Sequence, residues 1–273
     1  MSDDAIGVAD PQAVGPTGIC KLCTTPSVLR WSHIVPRWVY RRVVRTGDPK
    51  RPTPIQVSNK VAVVKSDQAA EYMLCTVCED LLHHDETYAA EVTIQEDGTF
   101  PALAAAKVLH SDGRLRVADI AALRVDALVR LAVSIVWRAS VSTKFPHLRL
   151  GKYEPELAAF VRGESALPKE VGLLFWLLDS PTGVGRVLYE PASRRDDGYH
   201  VHRVAFFGFD IMVYVGRLLP SFLADHCLAR TNRVIISDGA DQYEQVASAM
   251  ASSERKGRLA REYGRFGRPS RRN

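Results

Sequence analysis

The sequence predicts an α+β chain built in two parts, and three observations carry that reading. Two cysteine pairs, Cys20-Lys21-Leu22-Cys23 and Cys75-Thr76-Val77-Cys78, bracket a segment that passes from strand to helix character. Residues 117–141 form the longest helical pattern, apolar over most of its circumference. Residues 199–215 have strong β-content, and within them Phe207, Phe209, Ile211, Val213 and Val215 recur with a period of two. The expected division is a disordered tail over 1–15, a zinc-binding domain over 16–98, an α+β domain with a long central helix and an antiparallel sheet over 99–253, and a basic tail over 254–273.

Along the first part, Val28–Ile34 reads as a short strand with His33 near its end. Pro36 suits the first turn of a helix that places Trp38, Val39, Arg42 and Val43 on one face and stops at Gly47. Residues 48–54 hold three prolines and read as loop. Ile55–Val64 is β-branched and reads as a strand or hairpin arm, with Ser58-Asn59 as its turn. The second cysteine pair opens a helix on which Glu79, His83 and Glu86 share a face. The module ends near Asp97-Gly98.

In the second part, Pro101–His110 reads as a short helix and 117–141 as the buried one, with Ile120, Ala127, Leu128, Leu131, Ile135 and Arg138 on one stripe. Arg138 there is expected to snorkel or to pair with a carboxylate; the other reading is a phosphate contact toward the first part of the chain. Glu154-Pro155 starts a helix closed by Gly163. Leu173–Leu178 is a short apolar run; Gly185–Pro191, Tyr199–Val215 and Arg233–Ile236 read as strands, and Asp197-Gly198 as a hairpin turn. Asp241 with Glu244 resembles a capping box for a last helix. His200 and His202 share a strand face and suit a solvated edge better than a metal site.

The composition of the 273 residues, 46% hydrophobic and 25% charged, is that of an ordinary water-soluble protein. The most apolar run, Leu128–Trp137, is interrupted by Arg130 and ended by Arg138, which argues against a membrane span or membrane partner. The acidic N-terminus lacks a basic-then-apolar signal, so a cytoplasmic location is expected. In a reducing compartment paired C-x2-C motifs bind metal far more often than they form disulfides. Cys20, Cys23, Cys75 and Cys78 are therefore expected to hold one structural Zn²⁺ through four thiolates, and Cys227 to be a buried small hydrophobe.

Charge is segregated along the chain. Residues 30–65 carry nine Lys or Arg and one acid, residues 66–106 nine acids and no Lys or Arg, and residues 254–273 eight Lys or Arg against two Glu. Such blocks suit a polyanion-facing surface, with Arg37, Arg41, Arg42 and Arg45 as the candidate nucleic-acid contacts.

By Cys20, Cys23, Ser32-His33-Ile34-Val35-Pro36, Cys75, Cys78 and Glu79, the segment over about 16–95 resembles the zinc-containing HNH (ββα-metal) nucleases. It is more similar still to bacterial proteins with S-H-I-[IV]-P-[KR], L-C-x2-C-E and a W-R-A-S helix, matched here by 32–37, 74–79 and 137–140. The resemblance implies a treble clef built by the two cysteine knuckles, and a metal-dependent endonuclease acting on DNA rather than RNA. By analogy it also implies phage or mobile-element defence. It assigns His33 as general base and implies a catalytic Mg²⁺ or Mn²⁺, for which Glu79, His83 and Glu86 on one helix face are the candidate residues. Ser32 stands where the family usually has aspartate, Glu79 where it has asparagine or histidine, and Asn59 is the only asparagine between the knuckles. A non-catalytic, zinc-stabilised module binding nucleic acid or protein is the alternative expectation. Residues 99–253 would supply recognition, regulation or oligomerisation.

Overall fold

A computed structural model describes residues 15–45, 55–58, 61–64, 67–113, 115–179, 187–257 and 260–261. The expected N-terminal tail before Gly15, the 48–54 loop, Asn59 of the expected turn, and 262–273 of the basic tail lie outside the described residues.

Strand β1 (Thr17–Ile19) leads through the first cysteine pair into β2 (Pro26–His33), and Pro36 precedes helix α1 (Arg37–Arg45). Strands β3 (Ile55–Ser58) and β4 (Val61–Val64) form an antiparallel pair. Strand β5 (Ala70–Cys75) runs straight into helix α2 (Thr76–Val92). The antiparallel sheet β1-β2-β5 carries the first cysteine pair after β1 and the second at the β5–α2 junction. The expected helix after Cys78 is present and longer than its acidic start suggested. Its buried stripe, Cys78, Leu82, Asp85, Ala89 and Val92, follows a helical period to its end.

The second part begins with α3 (Pro101–Ala104), β6 (Lys107–Ser111), β7 (Leu115–Asp119) and α4 (Val125–Val141). After a 3₁₀ turn come α5 (Glu154–Val161), β8 (Val171–Leu178), β9 (Tyr189–Asp196), β10 (Tyr199–Phe206) and β11 (Phe209–Val215). The chain continues as α6 (Ser221–Ala224), α7 (Leu228–Thr231), β12 (Arg233–Ser237), α8 (Ala240–Ser252) and β13 (Glu254–Arg255). Seven strands form one sheet in the order β6-β7-β12-β8-β11-β10-β9. It is antiparallel except where β12 runs parallel to β8. The expected start of the basic tail is β13, which adds to β4 in parallel.

Several sequence expectations shift for physical reasons. The long helix starts at Val125 rather than 117, because Val117 and Ala118 pair with Ile235 and Val234. The Asp119 side chain then accepts the Ala121 N–H at 2.8 Å and turns the chain before the helix. An apolar residue every third or fourth position suited either state, and a distant strand decided it. The Pro101 helix stops at Ala104 because 107–111 pair with β7. The run 199–215 is a hairpin rather than one strand, turning at Phe207-Gly208 with both φ positive (44° and 89°). Gly208 suits that corner doubly, since a Cβ there would sit 2.6 Å from the Phe100 ring. Asp197-Gly198 makes the expected tight turn, also with positive φ. The strand expected over 185–191 is placed at 189–196, and residues 180–186 lie outside the described residues.

Packing runs without a break across residue 98. One apolar cluster joins Leu22, Ile34, Met73 and Leu82 to Leu128, Trp137, Phe175 and Phe209. Helix α4 is buried nearly all round, as its sequence predicted, and packs against both α2 and α5.

Candidate metal centre and the His33 face

The cysteine site is assembled from two backbone corners. After β1, Thr24 adopts a left-handed φ of 60° and its N–H donates to the Cys20 carbonyl at 2.8 Å, which folds the first pair back on itself. The Lys21 N–H donates to the Met73 carbonyl at 3.0 Å, docking this corner on β5. Cys75 lies at the helix boundary and Cys78 in the first turn of α2, where unpaired N–H groups and the helix dipole favour thiolates.

One ligand atom from each of Cys20, Cys23, Cys75 and Cys78 lies within 4.8 Å of the others, so the four could hold a metal ion such as zinc. The donor set fits that ion. Four thiolates at the usual Zn–S distance of about 2.3 Å in a tetrahedron stand about 3.8 Å apart. The Cys23 and Cys75 sulfurs are separated by 3.8 Å, and the Cys75 N–H points at the Cys20 sulfur at 3.3 Å. Burial pushes the Cys75 and Cys78 thiols up, whereas at Cys23 burial also pushes up but hydrogen bonds with Thr25, Cys20 and Cys78 together outweigh it and bring the thiol down to about 6. Arg162, beyond α5, donates to the Leu22 carbonyl inside the first pair and joins this corner to the second part of the chain.

His33 ends β2 opposite Ala70. Its Nε2 meets Gln68 Oε1 at 2.7 Å, and its carbonyl accepts from Arg138 Nη1 at 2.7 Å. Burial lowers its pKa to about 4; Gln68 opposes the shift, and the charges of Arg37, Arg138 and Arg41 add to it. The imidazole is therefore neutral at pH 7. Neighbouring Ser32 points the other way, fully buried. It accepts the Leu74 N–H at 3.1 Å and donates to the Arg30 carbonyl at 3.3 Å, which closes the ladder where a bulge between Arg30 and Trp31 opens it.

On α2, Glu79, His83 and Glu86 do follow one helix face, and both Glu79 and His83 act electrostatically on Glu86. Glu86 is committed elsewhere: it pairs with Arg138 Nη2 at 2.7 Å, as the carboxylate-paired reading of that arginine expected. His83 is exposed and reaches Thr87 Oγ1 at 3.4 Å. Glu79 Oε1 is buried with no hydrogen-bond partner. Among the described residues, the four cysteines are the only set of three or more His, Cys, Asp or Glu ligand atoms gathered within 4.8 Å. Glu79, His83 and His33 are not drawn together in that way. His202 is buried rather than solvated, with Nδ1 2.6 Å from Ser193 Oγ, and His200 is exposed.

The four expected nucleic-acid arginines divide. Arg37 and Arg41 are exposed on α1 and form no ion pair among the described residues. Arg42 instead clamps the module. It donates to the Ala90 and Ile94 carbonyls at 2.9 and 3.2 Å and to Thr93 Oγ1 at 3.0 Å, and stacks over Trp38 at 4.7 Å. Arg45 closes α1, and its side chain lies outside the described residues.

Sequence reasoning missed Gln68, which no local pattern marks. It also missed Asp85, held bidentately by Arg130 at 2.8 and 3.0 Å across α2 and α4. Its one available signal was an acid on an otherwise apolar stripe. Comparison of the chain with protein-family models, with curated proteins and with solved structures gives no match.

Proposed function

We propose that the chain is a zinc-stabilised nucleic-acid-binding protein, with a treble clef of ββα-metal type at its N-terminal end and no catalytic cation site among its described residues. The observation that carries the reading is how the groups a nuclease would turn toward a divalent cation are used. Ser32 is tied to backbone, Glu86 is paired with Arg138, and Gln68 meets the His33 imidazole. Arg37 and Arg41, exposed and close enough to His33 to depress its pKa, leave positive charge open to a polyanion. DNA is the favoured partner, with zinc as the metal at the four cysteines. Binding driven by phosphate neutralisation releases counterions, so log affinity falls with log salt by about 0.9 per phosphate contact on duplex DNA. Fluorescence anisotropy of a labelled duplex across a salt series tests this; undetectable affinity at low salt removes the reading.

A second reading, metal-dependent hydrolysis of phosphodiester bonds, draws on Glu79. Its Oε1 is buried without a partner on the helix face that also carries His83. In that reading Glu79 and His83 would hold a divalent cation, which when bound supplies charge neutralisation at phosphate, and the neutral His33 imidazole would take the proton of the attacking water.

A further inference from the structure

Where the β2–β5 register shifts, Met73 of β5 has no partner, and across from it Arg30 and Trp31 of β2 are both exposed between buried Leu29 and Ser32. Trp31 is 53% exposed and Tyr72, its partner on β5, 40% exposed. Their rings meet edge to face with centroids 5.0 Å apart. Two large aromatic rings, each about half exposed, thus stand together on this sheet. His33 follows on the same side of β2, about 7 Å along the strand from Trp31 at the ordinary rise per residue. Beyond it stand Arg37 and Arg41, and Arg30 is exposed beside the ring pair; none of the three forms an ion pair among the described residues. The acid between Tyr72 and Ala70 on β5, Glu71, is already held by Lys21 at 2.9 Å and by Thr143 Oγ1 at 2.6 Å.

We infer that this face binds single-stranded nucleic acid, its bases stacking on Trp31 and Tyr72 and its phosphates running past Arg30 toward Arg37 and Arg41. The inference rests on the nucleic-acid reading above and narrows it. Duplex bases hide their faces in their own stack, whereas unpaired bases offer a π face whatever their sequence. The uncommitted arginines argue for a polyanion, and the exposed ring pair argues for one with planar groups. The other occupant within reach is the chain's own segment before Gly15, a residue on which a Cβ would lie 3.0 Å from the Tyr72 ring.

Anisotropy of a fluorescein-labelled oligothymidylate, and of a labelled duplex of equal length, separates the outcomes. The wild type is expected to favour the single strand and to lose tryptophan fluorescence on binding it. Trp31→Ala and Tyr72→Ala, at exposed positions and checked for metal content and circular dichroism, should weaken single-strand binding about ten- to a hundredfold and leave duplex binding nearly unchanged; Trp31→Phe should retain most of it. Duplex binding with no single-strand preference, or single-strand affinity unchanged in Trp31→Ala, overturns this inference and leaves the nucleic-acid reading standing. No binding of either probe at low salt overturns both. Acrylamide quenching that Trp31→Phe leaves unaltered means Trp31 is covered in the free protein, which overturns the inference in favour of the N-terminal segment.

Discussion

Arg138 of α4 sits 2.7 Å from the Glu86 carboxylate of α2, with only 2% and 15% of their side chains exposed. The same guanidinium donates to the His33 carbonyl at 2.7 Å. One buried cation thus ties the end of β2, the acidic face of α2 and the central helix. Burial raises the Glu86 pKa, and Arg138 opposes that rise. Breaking a buried pair by removing one partner leaves a desolvated charge, at a cost of about 3–5 kcal/mol. Arg138→Met is therefore expected to lower unfolding free energy by about that amount in urea, and Arg138→Met with Glu86→Leu to recover much of it. A loss under about 1 kcal/mol in the single variant would show the pair to be marginal.

Two histidines set a pH dependence with a definite sign. His33 and His202 both have pKa values lowered by burial from 6.5 to about 4. The unfolded chain then binds more protons than the folded one between those values. Their stabilising contribution is complete above pH 6.5 and is lost as pH falls toward 4. Imidazole proton resonances in NMR should titrate with midpoints near 4 for both. A midpoint near 6.5 for His33 would mean that its ring is solvated.

The four cysteines should carry about one zinc per chain, and because zinc binding at such a site is folding free energy, Cys75→Ser should unfold at least the β1-β2-β5 corner. Elemental analysis with circular dichroism of the variant checks this. A Cys20–Cys23 disulfide found by mass spectrometry would contradict it.

Adjacent arginines on α1 should behave differently. Arg41→Ala is expected to weaken DNA binding and reduce the salt slope by about one, with stability unchanged. Arg42→Ala is expected to destabilise the fold, since it removes donors to two carbonyls and Thr93 and the stack over Trp38. Equal effects of the two on binding and stability would erase the distinction.

The cysteine corner was legible in the sequence because metal ligation fixes both residue type and spacing. His33 at a strand end and the buried α4 were legible because Pro36 and an apolar helical stripe are local signals. What escaped was set by distant partners. Val117 and Ala118 became strand because β12, over a hundred residues later, pairs with them. Gln68 and Arg138 meet His33 from elements remote in sequence. Ser32 reads in the sequence as a poorer metal ligand than aspartate, but in the fold its hydroxyl accepts the Leu74 N–H beside the register shift.

The central claim is a nucleic-acid-binding module in which Ser32, Glu86 and the His33 imidazole are held by other groups of the protein rather than turned to a cation. Electrophoresis of a supercoiled plasmid incubated with the protein at low salt, with and without Mg²⁺ or Mn²⁺, tests it most directly. The predicted result is a retarded plasmid that remains supercoiled under every condition once protein is removed. Nicking or linearisation that requires the divalent cation and is lost in His33→Ala would contradict it, and would restore His33 and Glu79 as parts of an active site.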